Sequence, residues 1–204
     1  MRQVYAAAAA RWRSVPPRQA RAVLAPVSAS WWIAGGWALD LFLGRQTRPH
    51  QDLDVGILRR DVRGVLDALS GWEFFEASDG ELSGPLAGEP RRQVNSLWGR
   101  LAGTDEWLLE LMLDDAEGAE WVFRRDRGVR RALADAIRHN PERIAYLAPE
   151  IQLLYKASHL RPQDQADFLR VAPHLAHEPR AWLHDALTRS SPRHPWLPAL
   201  ARPA

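Results

Sequence analysis

The sequence predicts an α/β (α+β) fold, with a mixed-sheet core over residues 1–140 and a small helical domain over residues 141–204. Three observations predict it. Short apolar runs alternate with segments of helical period through the first two thirds of the chain. The stretch "DLDVGIL", Asp52–Leu58, alternates polar and apolar residues as a half-buried strand does. From about Pro141 onward the signals are helical, with Pro149, Pro162, Pro173 and Pro179 at breaks or first turns.

Taken in order, the elements begin with a helix expected over about residues 2–12 and a second that ends before Pro26. "SWWIAGG", Ser30–Gly36, reads as a short buried strand, and "WALDLFLG" as a helix with Gly44 at its end. After the Asp52–Leu58 strand, "DVRGVLDALSG" places Val62, Val65, Leu66 and Leu69 at helical spacing and stops at Gly71. "RQVNSLWGRL", "EWLLELMLDD" and "EWVFRRD" read as three further strands, the last two joined across the turn "DAEG".

Composition narrows the function. At 204 residues the chain can bury one full core or a core with an appendage. It has no apolar run of membrane-spanning length, so no membrane partner is expected. Zero cysteines exclude disulfides and thiolate metal sites and fit a reducing, cytoplasmic setting. Net charge is only +2, but residues 73–120 hold twelve acids against three arginines, an acidic island between two basic thirds. A general nucleic-acid binder would show a basic face instead. The island is expected to line a cleft that attracts a polycationic small molecule.

Asp52 and Asp54 converge only if their segment is extended, where residues two apart share a face at roughly 7 Å. Adjacent carboxylates repel unless a cation neutralises them, and hard divalent ions such as Mg²⁺ prefer oxygen ligands. An isolated Asp-x-Asp is more often a polar strand end. Gly35 and Gly36 shift the balance, because they open a helix where backbone N–H groups and the helix dipole favour phosphate and a Cβ would block its approach. A third carboxylate is commonly needed to complete a metal site or to take a proton. In "EWLLELMLDD" the alternation buries Leu109, Leu111 and Leu113, leaving Glu110 as the candidate and Asp114 as its substitute.

"GGWALDLFLGRQTRPHQDLDV", Gly35–Val55, resembles the glycine-pair and Asp-x-Asp signature of the nucleotidyltransferases of DNA polymerase β type, and within them the aminoglycoside 2″-adenylyltransferases. The likeness is dense from Trp32 to Ile57, returns at "LLEL", and extends to "LAPEIQLLYKASHLRPQDQADF". It implies a nucleotidyltransferase core in which Gly35 and Gly36 contact nucleotide phosphates and Asp52, Asp54 and Glu110 are catalytic acids that bind Mg²⁺. The aminoglycoside enzymes carry Asp where this chain has Glu110, and their acceptor-binding segments find no match here. The resemblance also implies that Lys156, the single lysine, reaches the triphosphate; the alternative is a surface lysine. Arg48 and His50, just before the Asp-x-Asp strand, read as phosphate or acceptor contacts, Arg48 being the nucleotide-binding candidate, with a loop pair without a role as the alternative. Asp164 and Asp167 favour the first turn of their helix over chemistry, and a zinc site at His174 and His177 has little support.

The reading is therefore an adenylyltransferase that moves AMP from ATP onto an acceptor hydroxyl, with an aminoglycoside-like small molecule as the expected acceptor. A toxin-like transferase acting on tRNA or a protein, and a non-catalytic nucleotide-binding module, are the alternatives.

Overall fold

The computed structural model describes residues 2–4 and 11–201. They form two compact units, Met1–Trp37 with Arg48–Asp115, and Ala38–Thr47 with Ala116–Ala204.

In the first unit, helix α1 (Pro17–Val23) starts on a proline at its first position, where the missing N–H costs nothing. Strand β2 (Trp31–Ile33) leads directly into α2 (Gly35–Leu43), whose first turn belongs to this unit. Strand β3 (Asp54–Leu58), a 3-10 turn (Arg59–Asp61) and helix α3 (Val62–Ala68) follow. Strands β4 (Trp72–Ser78), β5 (Glu81–Ser83), β6 (Ser96–Leu101) and β7 (Leu109–Glu117) complete a mixed sheet in the order β1-β5-β4-β6-β7-β3-β2, with β1 at Arg2–Val4. The β3–β7 pair is parallel and its neighbours are antiparallel.

Three corrections concern this unit. The expected helix over residues 2–12 is not formed at Arg2–Val4, which pair antiparallel with β5; Trp12 bridges Trp107, and residues 5–10 lie outside the described residues. At Arg2–Val4 it is pairing with a neighbouring strand that decides the local structure. The hairpin β4–β5 was not expected at all, and β3 begins at Asp54, with Asp52 in the bend before it.

Register explains where the core and the polar face lie. Leu109, Leu111 and Leu113 are fully buried with Val55 and Ile57, as alternation requires. On the opposite face, directly opposed residues form a lateral row across four strands: Phe75, Trp98, Glu110 and Asp54. The aromatic end of that row packs edge-to-face with Trp107, Phe75 at 5.1 Å and Trp98 at 5.6 Å between ring centroids. Its other end is acidic.

The second unit contains the hairpin β8 (Glu120–Val122) and β9 (Arg130–Ala132), the short helix α4 (Leu133–Ala136), and the hairpin β10 (Ile137–His139) and β11 (Ala145–Leu147). Helices α5 (Pro149–Ala157), α6 (Pro162–Val171), α7 (His177–Ser190) and α8 (Leu197–Leu200) follow, so the helical reading holds from Pro149 onward, after strand β11. Pro149 and Pro162 sit in the first turns of α5 and α6, and Pro173 in a 3-10 turn. Trp121, Phe123, Tyr155 and Trp182 form an aromatic cluster, and Phe168 stacks on Trp196 at 4.2 Å. No helix among the described residues is long and apolar enough to cross a membrane.

Candidate active site

The loop between β2 and α2 is shaped by what its glycines lack. Ala34 N–H donates to Asp54 O at 2.9 Å, which extends the β2–β3 ladder to the helix start. Gly35 then adopts φ +62, and a Cβ built on it would lie 1.6 Å from Asp54 Oδ2. A Cβ on Gly36 would lie 2.3 Å from Arg48 Nη2 and 2.6 Å from His50 Nδ1. The glycine pair thus makes room for the site's own carboxylate on one side and for a guanidinium and an imidazole on the other. His50 is buried, its ring 4.2 Å from that of Trp37, and its carbonyl accepts the Ser14 hydroxyl at 2.9 Å.

Asp54 and Glu110 are register partners on the parallel pair β3–β7, and Asp52 precedes them in the bend. One oxygen from each of Asp52, Asp54 and Glu110 lies within 4.8 Å of the others, and all three residues are partly exposed. Around Mg²⁺ at its usual bond length, ligand oxygens lie roughly 3 to 4 Å apart, so side-chain adjustment alone suits this donor set to a hard divalent cation. Asp114 opposes Leu58 at the far end of the same strand pair and is buried, outside the group. Ser96, which sequence reasoning passed over, donates its hydroxyl to Glu110 Oε1 at 2.5 Å. Only the β6–β7 register reveals that contact.

The acidic island does not act as an open negative surface. Glu73, Glu76, Asp105, Glu106 and Asp115 pair with Arg100, Arg91, Arg11, Arg13 and Arg59, while Glu117 and Glu120 pair with Arg127 and Arg130. Seven of its twelve acids are neutralised locally, so the charge argument for a polycationic acceptor loses most of its force.

In the second unit, Lys156 is not a surface lysine. It is 7% exposed, with Nζ 3.1 Å from Asp164 Oδ1 and 2.9 Å from Asp167 Oδ2, both carboxylates being buried. Asp164 also accepts from the Arg161 N–H at 3.3 Å and its Nε at 2.8 Å, which fixes the first turn of α6. Burial pushes the Asp164 carboxyl up, but the Arg161 hydrogen bond, the Lys156 charge and hydrogen bond, and the Arg161 charge together hold it below the usual carboxylate range. His174 and His177 are exposed and belong to no group of three potential ligands among the described residues.

The family model for aminoglycoside-2''-adenylyltransferases matches residues 18–168. A 2''-aminoglycoside nucleotidyltransferase of Escherichia coli is 40% identical over 55 residues, 26% of this chain and 31% of the relative. One from Klebsiella pneumoniae is 44% identical over 43 residues, 20% of this chain and 24% of the relative. The identity to these curated relatives thus spans about a third of their length or less. Among solved structures, ANT(2")-Ia in complex with adenylyl-2"-tobramycin has a similar fold, with TM-score 0.57 and 16% identity over 85% of this chain and 97% of that one. Lincomycin-bound LnuA, a lincosamide antibiotic adenylyltransferase, follows with TM-score 0.53 and 16% identity over 79% of this chain and 97% of that one. With its glycine pair and carboxylates inside the matched span, the chain belongs to the aminoglycoside-2''-adenylyltransferase family.

Proposed function

We propose that the protein transfers AMP from ATP to a hydroxyl of a small-molecule acceptor, an aminoglycoside or a similar amino-bearing compound, and releases pyrophosphate. The observation that supports this reading is the convergence of Asp52, Asp54 and Glu110 beside the Gly35–Gly36 turn. The acceptor oxygen forms a bond to the α-phosphorus, the bond from that phosphorus to the bridging oxygen breaks, and the acceptor's proton passes to Glu110. Asp52, Asp54 and Glu110 would hold Mg²⁺, which would supply neutralisation of the charge on the transferring phosphoryl and the leaving pyrophosphate. The backbone of Gly35 and Gly36 and the Arg48 guanidinium bind the triphosphate and orient it. For Lys156 the family resemblance supports a nucleotide contact, whereas its two buried ion pairs support a structural role. Residues 1–140 would carry the transfer chemistry and residues 141–204 an appendage that is helical from Pro149 onward, acting in the cytoplasm where ATP and Mg²⁺ are available.

The acceptor class rests on the relatives, one of which is solved with adenylyl-2"-tobramycin and another with lincomycin. The test is to incubate the protein with labelled ATP and Mg²⁺ and to offer aminoglycosides, lincosamides, bulk tRNA and a cell lysate in parallel. Label on an aminoglycoside with matching pyrophosphate release is the expected result. Label confined to tRNA or a protein overturns the acceptor class, and absence of pyrophosphate release with every acceptor overturns transfer itself.

A further inference from the structure

We propose that Ser96 is a positioning residue for Glu110, holding that carboxylate in the geometry its role requires. The inference rests on the reading of Asp52, Asp54 and Glu110 as the site of transfer. Asp54 Oδ2 sits close against Gly35, 1.6 Å from where a Cβ on that residue would lie. Glu110 has a longer side chain than Asp54, with one more rotatable bond, and so more positions open to its carboxylate. The Ser96 hydroxyl narrows that choice. Trp98 opposes Glu110 and Ser96 opposes Met112, which places Ser96 diagonally across from Glu110 on the same face. Its 2.5 Å bond to Oε1 is short and charge-assisted, the stronger class of hydrogen bond.

Ser96 is itself held in place. The Arg59 guanidinium, just beyond β3, donates to Val94 O at 2.8 Å and to Asn95 Oδ1 at 2.5 Å, and pairs with Asp115 of β7 at 3.0 Å. Leu113 N–H donates to Asn95 O at 2.9 Å. The two residues before Ser96 are thus tied to the strand that carries Glu110 and to the end of the strand that carries Asp54. A hydroxyl fixed to both strands sets the carboxylate relative to its partners, as outer-shell hydrogen bonds do for ligating carboxylates.

The experiment compares Ser96→Ala, Ser96→Thr and Glu110→Gln. Mn²⁺ binding to the nucleotide-free protein is measured by electron paramagnetic resonance, and pyrophosphate release is measured at saturating metal. Ser96→Ala is expected to weaken Mn²⁺ binding and lower kcat on the order of tenfold each, with the nucleotide KM within about twofold of wild type. Ser96→Thr keeps the hydroxyl on a β-branched residue suited to a strand and is expected to restore both. Should the alanine variant fold poorly, Ser96→Cys, similar in size but a weak donor, is expected to show the same losses. Unchanged Mn²⁺ binding and kcat in Ser96→Ala or Ser96→Cys, with both lost in Glu110→Gln, overturns the positioning role and leaves the site reading intact. Full activity in Glu110→Gln overturns both.

Discussion

Replacing Gly35 with alanine probes the tightest contact at the site, and Gly44→Ala separates its two costs. Both glycines adopt left-handed backbone, φ +62 and φ +69, but nothing lies within 4 Å of a Cβ on Gly44. An L-residue in that region costs about 1–2 kcal/mol, which for a chain of this size lowers Tm by roughly 2–8 °C. Gly44→Ala should show that loss alone, with activity retained. Gly35→Ala adds a methyl group 1.6 Å from Asp54 Oδ2, so the carboxylate must swing away. Distorting its rotamer costs about 0.5–1.5 kcal/mol more, lowering Tm a few degrees further. The larger consequence is at the site. A displaced carboxylate forfeits about 3–4 kcal/mol of transition-state stabilisation, on the order of a hundred- to a thousandfold in turnover. Thermal melting, Mn²⁺ binding and pyrophosphate release measure the three quantities. Wild-type Mn²⁺ affinity and turnover in Gly35→Ala would refute the placement of Asp54, and equal activity losses in both variants would show that backbone strain, not the carboxylate, is responsible.

Asp52→Asn and Asp54→Asn should each lower transfer on the order of a thousandfold while thermal melting stays near wild type, since charge is removed at constant volume; full turnover in both would sink the metal assignment. Lys156→Ala removes the cation shared by two buried carboxylates that keep Arg161 and Arg170, and should destabilise the fold by about 1.5–3 kcal/mol in denaturant titration; a loss near zero would return Lys156 to a marginal structural role, and a raised nucleotide KM in the folded fraction would support a nucleotide contact. His194 is buried with Nε2 3.0 Å from Ala157 O, and its Nδ1 accepts from Trp196 N–H at 3.2 Å, so it is neutral with the proton on Nε2. Burial pushes its pKa below 6.5 against the Ala157 hydrogen bond. Its contribution to stability is complete above about pH 6.5 and is lost as pH falls from there through the lower folded value, because the unfolded chain then binds more protons. Stability measured from pH 7.5 to 5 should fall less steeply in His194→Gln than in wild type. Equal slopes would remove His194 as a cause.

The parts legible in the sequence are those where local pattern and tertiary role agree. "SWWIAGG" and "WALDLFLG" became β2 and α2, and alternation in "EWLLELMLDD" separated buried Leu109, Leu111 and Leu113 from Glu110. Choosing between Glu110 and Asp114 needed the register of β7 on β3, which no single segment encodes. The short strands β1, β5, β9, β10 and β11 escaped because three residues carry no period, and their state is decided by the strand they meet. The Ser96–Glu110 bond and the burial of Lys156 escaped for a related reason. Each depends on partners brought in by another element, and a composition that prefers arginine made Lys156 conspicuous without telling which groups surround it.

The parallel pairing of β3 and β7 has a consequence for assembly. Between those strands the chain lays down α3, β4, β5 and β6, so Asp54 and Glu110 meet only through a contact of long sequence separation. Closing such a contact costs loop entropy that the unfolded chain does not recover. The unfolded chain therefore has no cation-binding site, and any divalent ion that binds the native carboxylates stabilises the fold in proportion to RT ln(1 + [ion]/Kd). Cation affinity becomes a gauge of sheet integrity: a defect in β4 or β5, which β6 separates from β7, weakens binding by raising the unfolded population, and added ion restores the fold at the expense of free metal.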